Sequence, residues 1–135
     1  MEPTSLMEER FEVGTSARVR AFHVIPDATG PEGEPHAHDY RIEVVVARAR
    51  LDERGMVCDL DVLNSSVREL AARLEGADLE AIRPPGVDAV TVEVFARWAH
   101  GALAEAVRLA GGEEMTVRVW ESEEEYGGYR SPLVQ

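Results

Sequence analysis

Histidine is scarce in this chain, four among 135 residues, and three of the four fall in a pattern that could hold a metal. His36 and His38 are separated by one residue, so in extended backbone their imidazoles point the same way. His23 lies on the apolar parity of the preceding segment. If those two segments pair as a hairpin, the three imidazoles converge. Three nitrogen ligands with one open position is the layout of a catalytic zinc site. The open position takes water or a substrate oxygen and polarises it. Taken singly, a His-x-His pair is common, and His23 could be a hydrogen-bonded core residue. Together, on neighbouring strands, the three point to a metal. His100 is different: it lies among Trp98, Ala99 and Gly101 in a helical stretch and reads as structural.

Two other residues carry chemistry by type. Glu121 shares parity with Met115, Val117 and Val119, so it projects from the apolar face at the end of a strand. A carboxylate there needs a charge-assisted partner. That partner is either an arginine of the protein or a ligand with adjacent N–H donors, such as a 2-amino-4-oxo pyrimidine ring. Cys58, between Val57 and Asp59, reads as a small core residue rather than a nucleophile. With a single cysteine no intramolecular disulfide is possible, which fits a reducing cytoplasm.

The elements that must position these groups can be read from periodicity. From about Phe11 to Ile25, Ala17, Val19, Ala21, His23 and Ile25 take one parity and Arg18 and Arg20 the other, a strand with one apolar face. Pro26 to Pro35 reads as a loop. A second strand from about His38 to Arg50 sets Tyr40, Ile42, Val44 and Val46 against Arg41 and Glu43, and Asp52 to Gly55 turns the chain. A helix begins near Asp59 or Asp61, either of which can cap it. Leu60, Leu63, Val67, Leu70 and Leu74 form its stripe, and Gly76 ends it. A second helix runs from about Thr91, its cap, to Leu109, with Phe95, Trp98, Ala99, Ala102, Leu103 and Ala106 facing inward. Gly111 and Gly112 stop it. The last clear strand is Met115 to Glu121, and a tail or extra strand through Tyr129 follows. Hairpin strands with helices on one face imply an α+β fold with an antiparallel sheet, a single domain over residues 1–135.

Composition bounds the function. A formal net charge of −12 argues against a nucleic-acid backbone as partner, which needs a basic face. No run approaches the roughly 18 apolar residues of a membrane span, and Met1 to Arg10 is too acidic and polar to read as a signal peptide. Glu123, Glu124 and Glu125 read as a solvated charge run. Gly30, His36, His38 and Glu43 also reproduce the spacing of the first cupin metal motif. Two helical stripes and the lack of a second histidine motif count against a cupin barrel.

The segments line up with a known family. Ala-Phe-His ending at His23, His-Ala-His-Asp-Tyr from His36, Gly-Met-Val-Cys-Asp-Leu from Gly55 and Val-Arg-Val-Trp-Glu-Ser through Glu121 occur in order. With Thr91, Glu93 and Ala96, they make the chain resemble the 6-pyruvoyltetrahydropterin and 6-carboxytetrahydropterin synthases over about residues 11 to 129. The resemblance implies the tunnelling fold (T-fold), ββααββ, with subunits closing into a barrel, usually as hexamers. It implies Zn2+ on His23, His36 and His38, and Glu121 anchoring a reduced pterin or related heterocycle, with Thr91 nearby. It implies a cytoplasmic lyase or synthase acting on the side chain of a dihydroneopterin triphosphate-like substrate.

The chain departs from that pattern where the family moves protons. The loop from Gly30 to Pro35 lacks the family's cysteine. The usual Leu-Asp-His-x-x-Leu-Asn becomes Leu74, Glu75, Gly76, Ala77, Asp78, Leu79 and Glu80, and glycine cannot transfer a proton. Glu32 and Glu34 lie where the cysteine would be. Some relatives use a glutamate there and cleave the dihydroneopterin side chain, which makes either residue a candidate general base; the other reading of Glu32 and Glu34 is a pair of solvated loop charges. The alternative is a non-catalytic protein of the same fold that binds zinc and a pterin or purine.

Overall fold

The computed structural model describes residues 9–24 and 30–134, the side chains of Pro31 and Glu32 apart. Six main elements follow one another: β1 (Phe11–His23), β2 (His36–Arg48), α1 (Leu60–Leu74), α2 (Val92–Leu109), β3 (Glu114–Trp120) and β4 (Tyr126–Pro132). Short 3-10 turns occur at Gly30–Gly33 and Leu79–Ile82. The strands form one antiparallel sheet in the order β1-β2-β3-β4, and both helices pack on one face. This is the expected α+β arrangement, with the tail resolved into a true fourth strand.

Alternation decides which face is covered. Val19 and Ala21 of β1, Tyr40, Ile42, Val44 and Val46 of β2, and Met115, Val117 and Val119 of β3 are all buried in one core. Their odd-numbered or even-numbered neighbours face away, as a period-two pattern requires. Burying each large side chain contributes roughly 1.5–3 kcal/mol.

The helices start where short polar side chains can cap them. The Asp59 carboxylate accepts the N–H groups of Asp61 and Val62 at α1. Thr91 Oγ1 accepts the Val94 N–H at 3.1 Å at α2. Leu63, Val67, Leu70, Ala71 and Leu74 of α1 are buried. Leu60 is not: it is the first helical residue, ahead of the stripe, and is 44% exposed. In α2 the inward line is Phe95, Ala99, Leu103 and Val107, with Ala96 and His100 beside it. Trp98 is only partly buried and Ala102 is exposed, contrary to the sequence expectation. They lie at the edge of that line and help wall a recess of about 600 Å³ with Pro84, Pro85 and Val94.

Strand ends differ from the sequence reading for local reasons. β2 begins two residues early, because His36 pairs with His23. β3 stops at Trp120, because the Glu121 N–H donates to Glu125 O at 3.1 Å and turns the chain into β4. Ile25 lies outside the described residues. Among those described, no helix is long and apolar enough to cross a membrane.

The start of α2 is pressed against β4 at a glycine. A Cβ on Gly127 would lie 2.5 Å from Val92 Cγ2 and 3.0 Å from the Glu93 backbone nitrogen. Backbone on one side leaves little room to give. Gly127→Ala should therefore cost about 1–3 kcal/mol, read as a lower urea midpoint with an unchanged m-value.

Candidate metal and ligand site

The end of the β1–β2 hairpin gathers the three histidines. The register pairs His23 with His36 and Ala21 with His38. The ring centroids of His36 and His38 are 4.8 Å apart, and those of His23 lie 5.6 Å from His36 and 6.0 Å from His38. All three rings are partly buried. A row of rings continues inward: His38 meets Tyr40 at 5.6 Å, and Tyr40 meets Phe95 of α2 edge-on at 5.3 Å. The cluster thus rests on the core.

The nitrogens are distinguishable. His36 Nδ1 lies 2.9 Å from Glu34 O. A carbonyl only accepts, so Nδ1 is the donor, and in the neutral ring Nε2 is the nitrogen left with a lone pair. His23 Nδ1 is buried and, among the described residues, has no hydrogen-bond partner. Burial pushes the His23 pKa down, and the neighbouring His36 and His38 push the same way, against the opposing charges of Glu121 and Glu80. His23 is therefore held toward its neutral form, the form that ligates metals.

Among the described residues, no group of three or more His, Cys, Asp or Glu side chains is drawn in tightly enough to hold a metal as it stands. The donor set still fits zinc in kind: three imidazoles converge, one has its second nitrogen turned to a carbonyl, and one has a buried nitrogen without a partner.

Glu121 is exposed, not buried on the apolar face as its parity implied. It lies one residue past the Arg41–Trp120 pair, which sets it beside Tyr40. Its charge is felt at both His23 and Tyr40. Burial, and then Glu121, raise the Tyr40 pKa to about 12, so the phenol stays protonated. No arginine pairs with Glu121 among the described ion pairs. Its carboxylate is left open beside the histidine cluster.

The remaining candidates are spread more widely. Thr91 caps α2, one turn before the Phe95 that meets Tyr40. Glu34 is exposed, and its carbonyl contacts His36. The Glu32 side chain lies outside the described residues. Cys58 is buried and free, with its pKa raised by burial and then by Asp59, as befits an inert core thiol. The recess of about 600 Å³ beside α2 has no histidine in its wall; the chemistry, not the volume, locates the site. Glu80 escaped the sequence reading: its charge acts on His23, although Glu80 lies 57 positions later in the chain.

A four-stranded antiparallel sheet with two helices on one face, in the order ββααββ, defines the tunnelling fold. The model of the 6-pyruvoyl tetrahydropterin synthase family matches residues 12–132, and the chain belongs to that family. Curated proteins offer no match. Among solved structures, the chain is similar to 6-pyruvoyl tetrahydropterin synthase from Plasmodium vivax, with a TM-score of 0.69 and 12% identity over 92% of this chain and 99% of that one. That protein has also been solved with a glutamate named as its catalytic residue changed to cysteine and to alanine. The Caenorhabditis elegans synthase gives a TM-score of 0.68 and 15% identity over 94% and 99% of the two chains. An uncharacterized protein of Wolinella succinogenes gives 0.64 and 14% over 92% and 98%. At such identities the structural likeness bears on the fold alone.

His100 is the buried histidine that the sequence suggested was structural. Its Nε2 lies 3.1 Å from Met115 O, and its ring stands edge-on to Tyr129 at 5.0 Å. Burial lowers its pKa, while hydrogen bonds at Ser131 and Met115 act in the opposite direction. His23 is lowered too. The unfolded chain thus binds protons more readily than the folded one around the ordinary histidine value of 6.5. Stability from these groups is complete above that value and lost as the pH falls through the lower folded values. The urea midpoint of metal-free protein should drop between about pH 7.5 and about pH 5. His100→Phe and His23→Phe should each flatten that dependence.

Proposed function

We propose that this chain is a zinc-dependent lyase or synthase acting on the side chain of a reduced pterin of the dihydroneopterin triphosphate kind. The observation that carries the reading is the hairpin register, which brings His23, His36 and His38 within 6.0 Å of one another. Membership of the family supports a synthase-like activity. The zinc, the substrate and the residue roles belong to the proposal.

In this reading His23, His36 and His38 hold the metal, and Glu121 takes the adjacent N–H donors of the pterin ring, with the α2 start at Thr91 nearby. A zinc ion bound there supplies Lewis-acid polarisation of a substrate side-chain oxygen, which acidifies the neighbouring C–H. The carboxylate of Glu32 or Glu34 removes that proton. The turn Gly30–Gly33 and the Glu34 carbonyl contact to His36 keep this loop next to the cluster, and the Plasmodium vivax protein's catalytic glutamate lends support to a carboxylate base. A homo-oligomer, a hexamer by family likeness, and a cytoplasmic setting complete the reading. The sheet is open at β1 and β4, and Phe11 and Tyr126 on those strands are about half exposed, at 51% and 50%.

A second reading has its own observation. The position of the family's proton-carrying histidine is Gly76, and the Asp78 carboxylate is engaged in capping, accepting the Glu80 N–H at 2.9 Å. A protein without that relay could hold zinc and a pterin or purine without turning it over.

Purified protein should carry one zinc per chain, measured by elemental analysis, and His36→Ala or His38→Ala should lose it. Zinc-loaded protein incubated with dihydroneopterin triphosphate, or with dihydroneopterin, should yield a new pterin that a chelator abolishes, read by chromatography. Unchanged pterin with zinc bound would favour the binding reading. Removing the base from Glu32 or Glu34 should cut turnover by about 10²–10⁴-fold and leave zinc in place. Full activity in both single variants and their combination would reject that assignment. Glu121→Ala should weaken pterin binding, seen by fluorescence titration, with zinc content unchanged.

A further inference from the structure

Among the described residues, two of the buried polar atoms without a hydrogen-bond partner lie on neighbouring elements: Nδ1 of His23 and Oε2 of Glu80. Backbone contacts join those elements. The Phe22 N–H donates to Ala77 O at 2.8 Å, and Phe22 and Asp78 form an isolated parallel bridge. The residue before His23 is thereby fixed to the cap of the turn that carries Glu80.

The Glu80 carboxylate is held rather than free. Its Oε1 accepts from Arg83 Nε at 2.9 Å, and Arg83 also donates from Nη1 to Val87 O at 2.8 Å. A guanidinium anchored on the main chain thus orients the carboxylate and leaves Oε2 over. The charge of Glu80 reaches His23.

The two orphaned atoms are complementary. One is a ring nitrogen that can carry a proton, the other an acceptor, and each is costly to leave buried and unpaired. A metal-binding imidazole almost always gives its second N–H to a carboxylate, carbonyl or water. His36 does so with the Glu34 carbonyl at 2.9 Å. Among the described residues, His23 has no such carbonyl.

We infer that Glu80 is a positioning residue for His23: its Oε2 accepts the Nδ1–H, directly or through one water, and so fixes the tautomer that presents Nε2 to the cluster. The inference rests on the zinc-binding reading given above.

The test is zinc affinity, measured by competition with a chromophoric chelator, beside the melting temperature of the metal-free protein. Glu80→Ala should weaken zinc binding by about 10- to 100-fold. Glu80→Gln keeps an acceptor oxygen and should lose less. Arg83→Ala, which frees the carboxylate without removing it, should fall between wild type and Glu80→Ala. Glu69→Ala, an exposed carboxylate on α1, should match wild type. If Glu80 only braces its turn, Glu80→Ala and Arg83→Ala will lower the metal-free melting temperature alike and leave affinity unchanged, which overturns the inference. Should Glu80→Ala fail to fold, Glu80→Gln decides: wild-type affinity together with Arg83→Ala at wild-type affinity overturns it. A wild-type protein that binds no zinc removes the zinc reading and this inference together. A wild type that binds, with Glu80→Ala binding as tightly, removes this inference alone.

Discussion

The pairing of β1 with β2 is the constraint on which the rest of the structure depends. Thirteen residues of each strand pair without interruption, from Phe11 opposite Arg48 to His23 opposite His36. A slip of one residue would turn the strand's whole apolar set to the other face. Val19 and Ala21, or Tyr40, Ile42, Val44 and Val46, would then leave the helices they pack against. The core therefore fixes the register, and the register in turn brings the histidines together. Convergence at the hairpin end needs no separate source of stability.

The same economy extends inward and outward from the cluster. Tyr40 is a core residue, yet it lies between His38 and Phe95, so the packing of α2 on the sheet also braces the histidines. The chain is strongly acidic, and the two described carboxylates whose charge acts on His23 differ in character. Glu121 is exposed and, among the described residues, without an ion-pair partner, suited to meeting something from outside. Glu80 is tied to Arg83 and partly buried, suited to acting within. Both oppose the burial that lowers the His23 pKa. Burial and the neighbouring imidazoles prevail, and the ring stays in the state a metal requires.

Much of this was legible in the sequence because it is local. Period-two strings mark the strands, Thr91 and one of Asp59 and Asp61 mark the helix starts, and the shared parity of His23 with Ala21 sets the histidine on the apolar side. Parity, however, reports the side and not the depth. Glu121 keeps the expected parity but is exposed, because the strand has ended and the chain turns at Glu125. Leu60 and Trp98 were misplaced because a stripe of apolar residues does not show where its edges fall. Glu80 was missed for a stronger reason. With Arg83 three residues on, it reads as an ordinary surface ion pair. Only the long-range contact of residues 77 and 78 with Phe22 brings it toward the histidines. The expectation of a metal comes from the type and spacing of the three histidines, whereas the pterin comes from family likeness, and periodicity alone could not have supplied it.

Gly76 shows how geometry and chemistry compete for one position. It follows α1 with φ +73°, the left-handed conformation that ends a helix most readily at glycine. Its N–H donates to Arg20 O at 2.7 Å, which brings the chain back to β1 and begins the contact that Ala77 and Asp78 extend. An added Cβ would meet nothing within 4 Å, so space is not what favours glycine there. Backbone conformation is, at roughly 1–2 kcal/mol for an ordinary L-residue. In the family pattern this position carries a histidine that moves a proton. Here it serves only to turn the chain. In the proposed reading the carboxylate of Glu32 or Glu34 takes over proton transfer, and in the second reading the site holds its ligand without changing it. Catalysis and binding thus differ at one chemical point, and the fold, the histidine cluster and Glu121 are common to both.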